Sequence, residues 1–138
     1  MTTLIAHALI ATPAGYLLLQ RTPVERGQSN IYPLFWDIPG GRTQPHETAR
    51  QAAKRECLEE TGLHIQPTTI IGITTTYDQN QEQRFTRLIF TAHLLTPLTD
   101  LKLNTAEHGR YATCTSLATW PADQQLVPYL RNLLTTAN

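Results

Sequence analysis

Two cysteines, Cys57 and Cys114, are all that this 138-residue chain contains. That scarcity excludes a disulfide-built scaffold and predicts two reduced, partly buried thiols. No His/Cys cluster has the spacing of a zinc site, and neither a G-x-S-x-G elbow nor a Walker A loop occurs. Net charge is lacking too: eleven basic residues offset eleven acidic ones. No global field therefore exists to hold a long nucleic acid or an anionic membrane, whereas a small ligand needs only local charge. No apolar run approaches the roughly 18 residues of a membrane span. The opening stretch MTTLIAHALIATPAG has no basic leading region and is broken by Pro13, so it does not read as a signal peptide. A cytoplasmic protein is expected. Internal repeats, charge blocks and low-complexity tracts are absent as well.

What is present suits one domain spanning residues 1–138. Apolar residues make up 41% of the chain, enough for a core but too little length for two typical domains. Leu4 to Ile10 and Tyr16 to Gln20 read as strands joined by a Thr12-Pro13-Ala14-Gly15 turn. Thr22 to Phe35 reads as a long loop of the kind that often carries function. Trp36-Asp37-Ile38 returns to strand character. A helix is predicted from about Glu47 to Thr61, with Gly62 as the residue that ends it. Thr68 to Tyr77 and Phe85 to Leu95 read as a long hairpin, and Glu107 to Cys114 as a further extended segment. Leu126, Leu130, Leu133 and Leu134 lie at helical spacing within about Ala122 to Thr135, with Pro128 marking a start or a kink. The predicted architecture is an α/β/α sandwich with a mixed sheet between helices.

Residues 41–63 read GRTQPHETARQAAKRECLEETGL. On a helical wheel Glu56, Glu59 and Glu60 fall within about 100° of one face. Three like charges so close repel one another unless a cation neutralises them, and a hard divalent ion with oxygen ligands does so. Ala49, Ala52 and Ala53 share their side, while Arg50, Gln51, Lys54, Leu58 and Thr61 lie opposite. The acids thus continue the small-residue side expected to pack on the sheet, and they should sit at a helix–sheet boundary, partly shielded from water. An ordinary amphipathic helix turns its acids away from its packed side. Gly40 and Gly41 let the preceding backbone approach a ligand closely.

This spacing, G-x5-E-x7-R-E-U-x-E-E-x-G-U with U a bulky aliphatic residue, is the Nudix box, and the chain resembles a Nudix pyrophosphohydrolase. One position departs from the pattern: Cys57 stands where the family has Leu, Ile or Val, and it reads as a small apolar filler. The resemblance covers nearly the whole chain and implies the same sandwich fold. It implies metal ligation by Glu56, Glu59, Glu60 and the Gly40 carbonyl, with Arg55 orienting the glutamates and Glu47 supporting the box. Glu107 in EHGRYATC resembles a further family glutamate, a metal ligand or general base, although the tryptophan that follows it in the family is Thr113 here. The implied cofactor is Mg²⁺ or Mn²⁺, and Glu56, Glu59 or Glu107 would act as base. The WDIPGG entry resembles mutator-type enzymes that convert nucleoside triphosphates to monophosphate and pyrophosphate. ADP-sugar or dinucleoside polyphosphate hydrolysis, or a non-catalytic nucleotide-binding regulator, are the alternative readings.

Substrate contacts are expected from Arg21 to a phosphate, from the Gly41 backbone, and from Tyr32, Phe35, Tyr77 and Phe85 by stacking on a base. His7, His64 and His93 read as structural; His46 occupies a position where the family commonly has glycine. The implied partner is a small nucleotide, with no long nucleic acid and no membrane; a homodimer is admitted but not specified.

Overall fold

The computed structural model describes residues 2–25 and 27–136. Strands β1 (Thr2–Thr12) and β2 (Gly15–Arg21) meet through a two-residue turn, with Thr12 opposite Gly15. Gly15 adopts φ 123°, and a side chain there would come within 2.8 Å of the Cys114 carbonyl. The predicted first hairpin is therefore present and its glycine is required. The expected loop at 22–35 contains a small ribbon, β3 (Val24–Glu25) against β4 (Gln28–Ser29); Arg26 lies outside the described residues.

Beyond Ala11 and Tyr16, β1 and β2 stop pairing with each other and splay apart. The segment after the loop fills the resulting wedge. Its first part, β5 (Trp36–Asp37), pairs with Leu19 and Gln20 of β2. Its second part, β6 (Gly40–Arg42), pairs with Ile5 to His7 of β1. The WDIPGG stretch thus spans a gap inside the sheet. On the far side of β1 runs parallel β8 (Gln83–Leu94), which pairs with antiparallel β7 (Ile65–Asp78), and β9 (His108–Cys114) pairs with β2. These seven strands form one mixed sheet.

Both sheet faces are covered, which explains the uninterrupted buried run Leu17-Leu18-Leu19. Leu17 and Leu19 join Ala8, Ile10, Cys57, Leu63 and Ile65 under helix α1 (Ala49–Thr61). Leu9 and Leu18 join Trp36, Ile38, Ile89, Leu130 and Leu134 under helix α2 (Pro128–Thr136). The α/β/α sandwich read from the sequence is present. Cys57 is fully buried in its cluster, as a filler should be, and both cysteines are free. Among the described residues no helix is long and apolar enough to cross a membrane.

Two local expectations need correction, and one open choice is settled. Helix α1 begins two residues later than predicted, because Thr48 caps it. The Thr48 hydroxyl accepts the Gln51 N–H at 3.1 Å, and Gln51 Oε1 accepts the Thr48 N–H at 2.9 Å. Glu47 therefore precedes the helix; Gly62, at φ 72°, ends it as expected. Helix α2 starts at Pro128, one of the two options the sequence left open, since Gln125 to Val127 run alongside Trp36: Trp36 N–H donates to Gln125 O at 2.7 Å and Val127 N–H to Trp36 O at 3.0 Å. Proline lacks the N–H that the first helical turn leaves unused. Finally, Thr61 is fully buried, not opposite the packed side; its hydroxyl donates to Cys57 O at 2.7 Å.

Replacing Gly15 with Ala should destabilise the fold by about 1–3 kcal/mol, because φ 123° is a glycine conformation and the new methyl meets the Cys114 backbone. Chemical denaturation measures it; an unchanged midpoint would mean that the turn tolerates a side chain.

Candidate active site

Between the splayed strands lies a cavity of about 400 Å³. Glu56, Glu60, Glu107 and the backbone of Gly40 and Gly41 form one wall. Glu60 is its deepest acid, only 3% exposed, with Oε2 accepting the Gly40 N–H at 3.3 Å. Burial pushes this carboxyl well above the usual range, and the negative charges of Glu107 and Glu56 add to the rise. Glu60, Glu107 and His108 each offer a ligand atom, all within 4.8 Å of one another. His108 is buried, and burial lowers its basicity, which favours the neutral imidazole.

Glu56 stands one turn earlier on α1, its side chain 16% exposed. Burial raises its pKa while Arg55 opposes the rise. A methyl on Gly41 would lie 2.5 Å from the Glu56 carboxyl carbon, so the glycine leaves room for that carboxylate. Arg55 ties the box together. Its Nε donates to Glu47 Oε2 at 2.7 Å, one terminal nitrogen reaches Glu56 at 2.9 Å and Glu59 at 3.3 Å, and the other donates to Arg42 O at 3.0 Å. Hydrogen bonding to Glu47 raises the arginine further and lowers the Glu47 carboxyl.

Glu59 differs from its neighbours. Its side chain is 54% exposed against Arg55, outside the cavity wall, so the box acids are not equally shielded. Arg21 does line the cavity, donating to Asp37 Oδ2 at 3.2 Å and to Asn30. The expected stacking rings do not line it. Tyr32 is exposed and packs against Phe35, which leans on the α2-side core. Tyr77 is exposed on β7, and Phe85 lies 5.5 Å beneath the Arg42 guanidinium. His46, exposed at φ 65°, holds a backbone conformation that glycine adopts more readily.

Several polar residues of the site escaped the sequence reading. Asp37 is buried and accepts from the Tyr129 hydroxyl, the Ile38 N–H at 2.7 Å and Arg21. His7, read as structural, lines the cavity with Arg87 and His108. The one signal was a polar residue inside an apolar strand, which cannot tell a core hydrogen bond from a ligand contact.

The acid wall fits a divalent cation: three carboxyls line one cavity, the deepest is buried with no ion-pair partner among the described residues, and the glycine backbone comes within hydrogen-bond reach. Glu60, Glu107 and the Gly40 carbonyl would hold it. A carboxyl whose folded pKa lies above its unfolded value destabilises the fold once pH rises above the unfolded pKa. At pH 7.5 without metal, Glu60→Gln should therefore raise the melting temperature by about 3 °C or more. Mg²⁺ should raise it in the wild type and not in the variant. Equal Mg²⁺ responses would place the cation elsewhere.

The NUDIX domain family model matches residues 1–133. The chain is 53% identical over 39 residues to a protein of Bacillus subtilis named a putative 8-oxo-dGTP diphosphatase, covering 28% of this chain and 26% of that protein. It is 28% identical over 129 residues to an uncharacterized Nudix hydrolase of Listeria monocytogenes, covering 91% of this chain and 72% of that one. The matches to the first curated relatives thus span from 12% to 36% of their lengths. The crystal structure of a MutT protein from Methanosarcina mazei superposes with a TM-score of 0.75 at 26% identity, over 98% of this chain and 91% of that one. With the box in register on α1 and the sandwich in place around it, this chain belongs to the Nudix family, of the MutT-like kind.

Proposed function

We propose that the protein hydrolyses a nucleoside diphosphate linked to another group, with Mg²⁺ or Mn²⁺, and that its substrate is an ordinary or modified nucleoside triphosphate cleaved to monophosphate and pyrophosphate. The observation that carries this reading is the gathering of Glu56, Glu60 and Glu107 around one cavity that Arg21 and Arg87 also line. Two relatives support the substrate class by name, the Bacillus subtilis protein and a human protein named an 8-oxo-dGDP phosphatase, 45% identical over 38 residues.

Each residue's work follows from its placement. Glu60, Glu107 and the Gly40 carbonyl would hold the cation beside the diphosphate, with Glu59 next to Glu60 on α1. When bound, the cation neutralises phosphate charge and acidifies water. Glu56 takes the proton from the attacking water: it lines the cavity, and burial raises its pKa against the opposing pull of Arg55. Arg55 fixes the direction of that carboxylate through its bonds to Glu47 and Glu56. Arg21, anchored by Asp37, contributes positive charge to a phosphate.

Incubation with a panel of nucleoside triphosphates, dinucleoside polyphosphates and ADP-sugars in ¹⁸O-water, read by mass spectrometry, tests the proposal. Nucleoside monophosphate and pyrophosphate should form with one labelled phosphorus; no turnover of any diphosphate would contradict it. Glu56→Gln should lower kcat by at least about 100-fold while the fold is retained. Gly41→Ala should lower it at least about tenfold, because the added methyl displaces the Glu56 carboxylate. Wild-type kcat in both would remove Glu56 from the chemistry.

A further inference from the structure

His108 begins β9 beside the acid group, and a one-residue irregularity decides where its ring goes. Along β9, Tyr111 pairs with Leu19 and Arg110 with Gln20, but Arg21 then pairs with His108, so Gly109 is an extra residue in the ladder. Such a bulge re-aims a side chain. Arg110 lies over the Trp36 ring, on the sheet face that meets α2. Strict alternation would put His108, two residues before Arg110, on that same face. Leu19 lies under α1, and Arg21, two residues further along β2, keeps that side. Residues directly opposite each other in a strand pair share a face, so His108 goes with Arg21 to the α1 side. Glu60 stands on α1.

The result is a mixed set of ligand atoms. One ring nitrogen of His108 and one carboxylate oxygen from each of Glu60 and Glu107 lie within 4.8 Å of one another. Among the described residues no ion pair joins His108 to Glu60, so the imidazole does not serve as the countercharge of the deep acid. An ion bonded at roughly 2.1 Å to each of two ligands holds them up to about 4.2 Å apart, and a small inward shift of the side chains closes the set. His108 is 8% exposed and lines the cavity, and its Nδ1 is buried without a hydrogen-bond partner. An unpaired buried imidazole is costly unless a ligand contacts it. A substrate anion does not answer, because the two carboxylates repel it. A cation is the one ligand that all three donors share.

We propose that His108 is a nitrogen ligand of the cation held by Glu60 and Glu107, and that it makes this site select a divalent transition ion over Mg²⁺. Mg²⁺ takes oxygen ligands and dehydrates reluctantly, so an imidazole in place of a water oxygen gains it little. Imidazole suits the transition ions, whose affinity for such sites rises from Mn²⁺ to Co²⁺. Carboxylates and the Gly40 carbonyl alone serve either kind of ion; His108 is the donor that separates them. This inference rests on the reading that the acid group holds a cation.

Pulsed electron paramagnetic resonance of the Mn²⁺-loaded protein, without nucleotide, tests it. The wild type should show hyperfine coupling to one directly bonded ¹⁴N. Protein labelled with ¹⁵N-histidine should show the ¹⁵N pattern in its place, with no substitution made. His108→Gln, which offers an amide oxygen at the same position, should bind Mn²⁺ without nitrogen coupling. In calorimetry the preference of that variant for Co²⁺ over Mg²⁺ should fall at least about tenfold, through weaker Co²⁺ binding. Three results would overturn this inference and leave the acid site standing: Mn²⁺ bound to the wild type without ¹⁴N coupling, coupling that persists in a His108→Gln protein of wild-type melting temperature, or an unchanged Co²⁺ preference in that protein. If the wild type bound no Mn²⁺, or Glu60→Gln bound it as tightly as the wild type, the cation reading and this inference would fall together.

Discussion

Glu60 is a carboxyl withdrawn from water with two more carboxyls beside it, and most of the site exists to hold that arrangement. Its carboxylate accepts the Gly40 N–H. The charge of Arg55 is directed to Glu47, Glu56 and Glu59, and so it fixes the rim of the acid group, while Glu60 has no ion-pair partner among the described residues. Such a floor is unfavourable in isolation and favourable around a divalent ion. The small residues nearby follow from it. Gly41 leaves room for the Glu56 carboxylate, and Gly40 passes so close to His7 and Ala6 that a methyl would come within 2.5 Å of both.

The second constraint is the splayed sheet. β1 and β2 pair only at their shared turn, and the segment from Trp36 to Arg42 bridges the opening, first bonded to one strand and then to the other. The same crossing aligns the two Gly residues with the box helix and places Asp37 in the core, where it anchors Arg21 and Tyr129. A polar network inside a closed sheet would have no outlet; here it ends at the cavity. The acid wall and the side chains of His7 and Arg87 thereby line one opening on two faces of the sheet.

The sequence made local features readable. The box spacing, the terminating Gly62, the first turn and the long hairpin each depend on residues within a few positions of one another. What escaped depends on distant pairing. Pro128 left a start or a kink open for α2, and the choice of a start goes with the bonds of Trp36 to Gln125 and Val127, which no periodicity within 122–135 records. Thr61 is buried because the segment after β8 folds back over the end of α1, with Lys102 N–H bonding Thr61 O at 2.8 Å and Asn104 N–H bonding Glu60 O at 2.9 Å. That same return deepens Glu60 relative to Glu59, a difference the wheel could not show. His7, Asp37, Arg87 and Tyr129 come from four separate elements, and only the fold makes them one cluster. The aromatic residues singled out for stacking failed to line the cavity for the complementary reason: residue type alone says nothing of which side of a strand or loop meets the site.

The central claim is that the buried acid group is a cation site built for phosphate chemistry. Anomalous diffraction from crystals grown with Mn²⁺ and a non-hydrolysable nucleotide addresses it directly. The account predicts a peak about 2.1 Å from Glu60 carboxylate oxygen, with Glu107 or the Gly40 carbonyl completing the contact and the diphosphate against it. Mn²⁺ found only at exposed acids, with no density at Glu60, would contradict it.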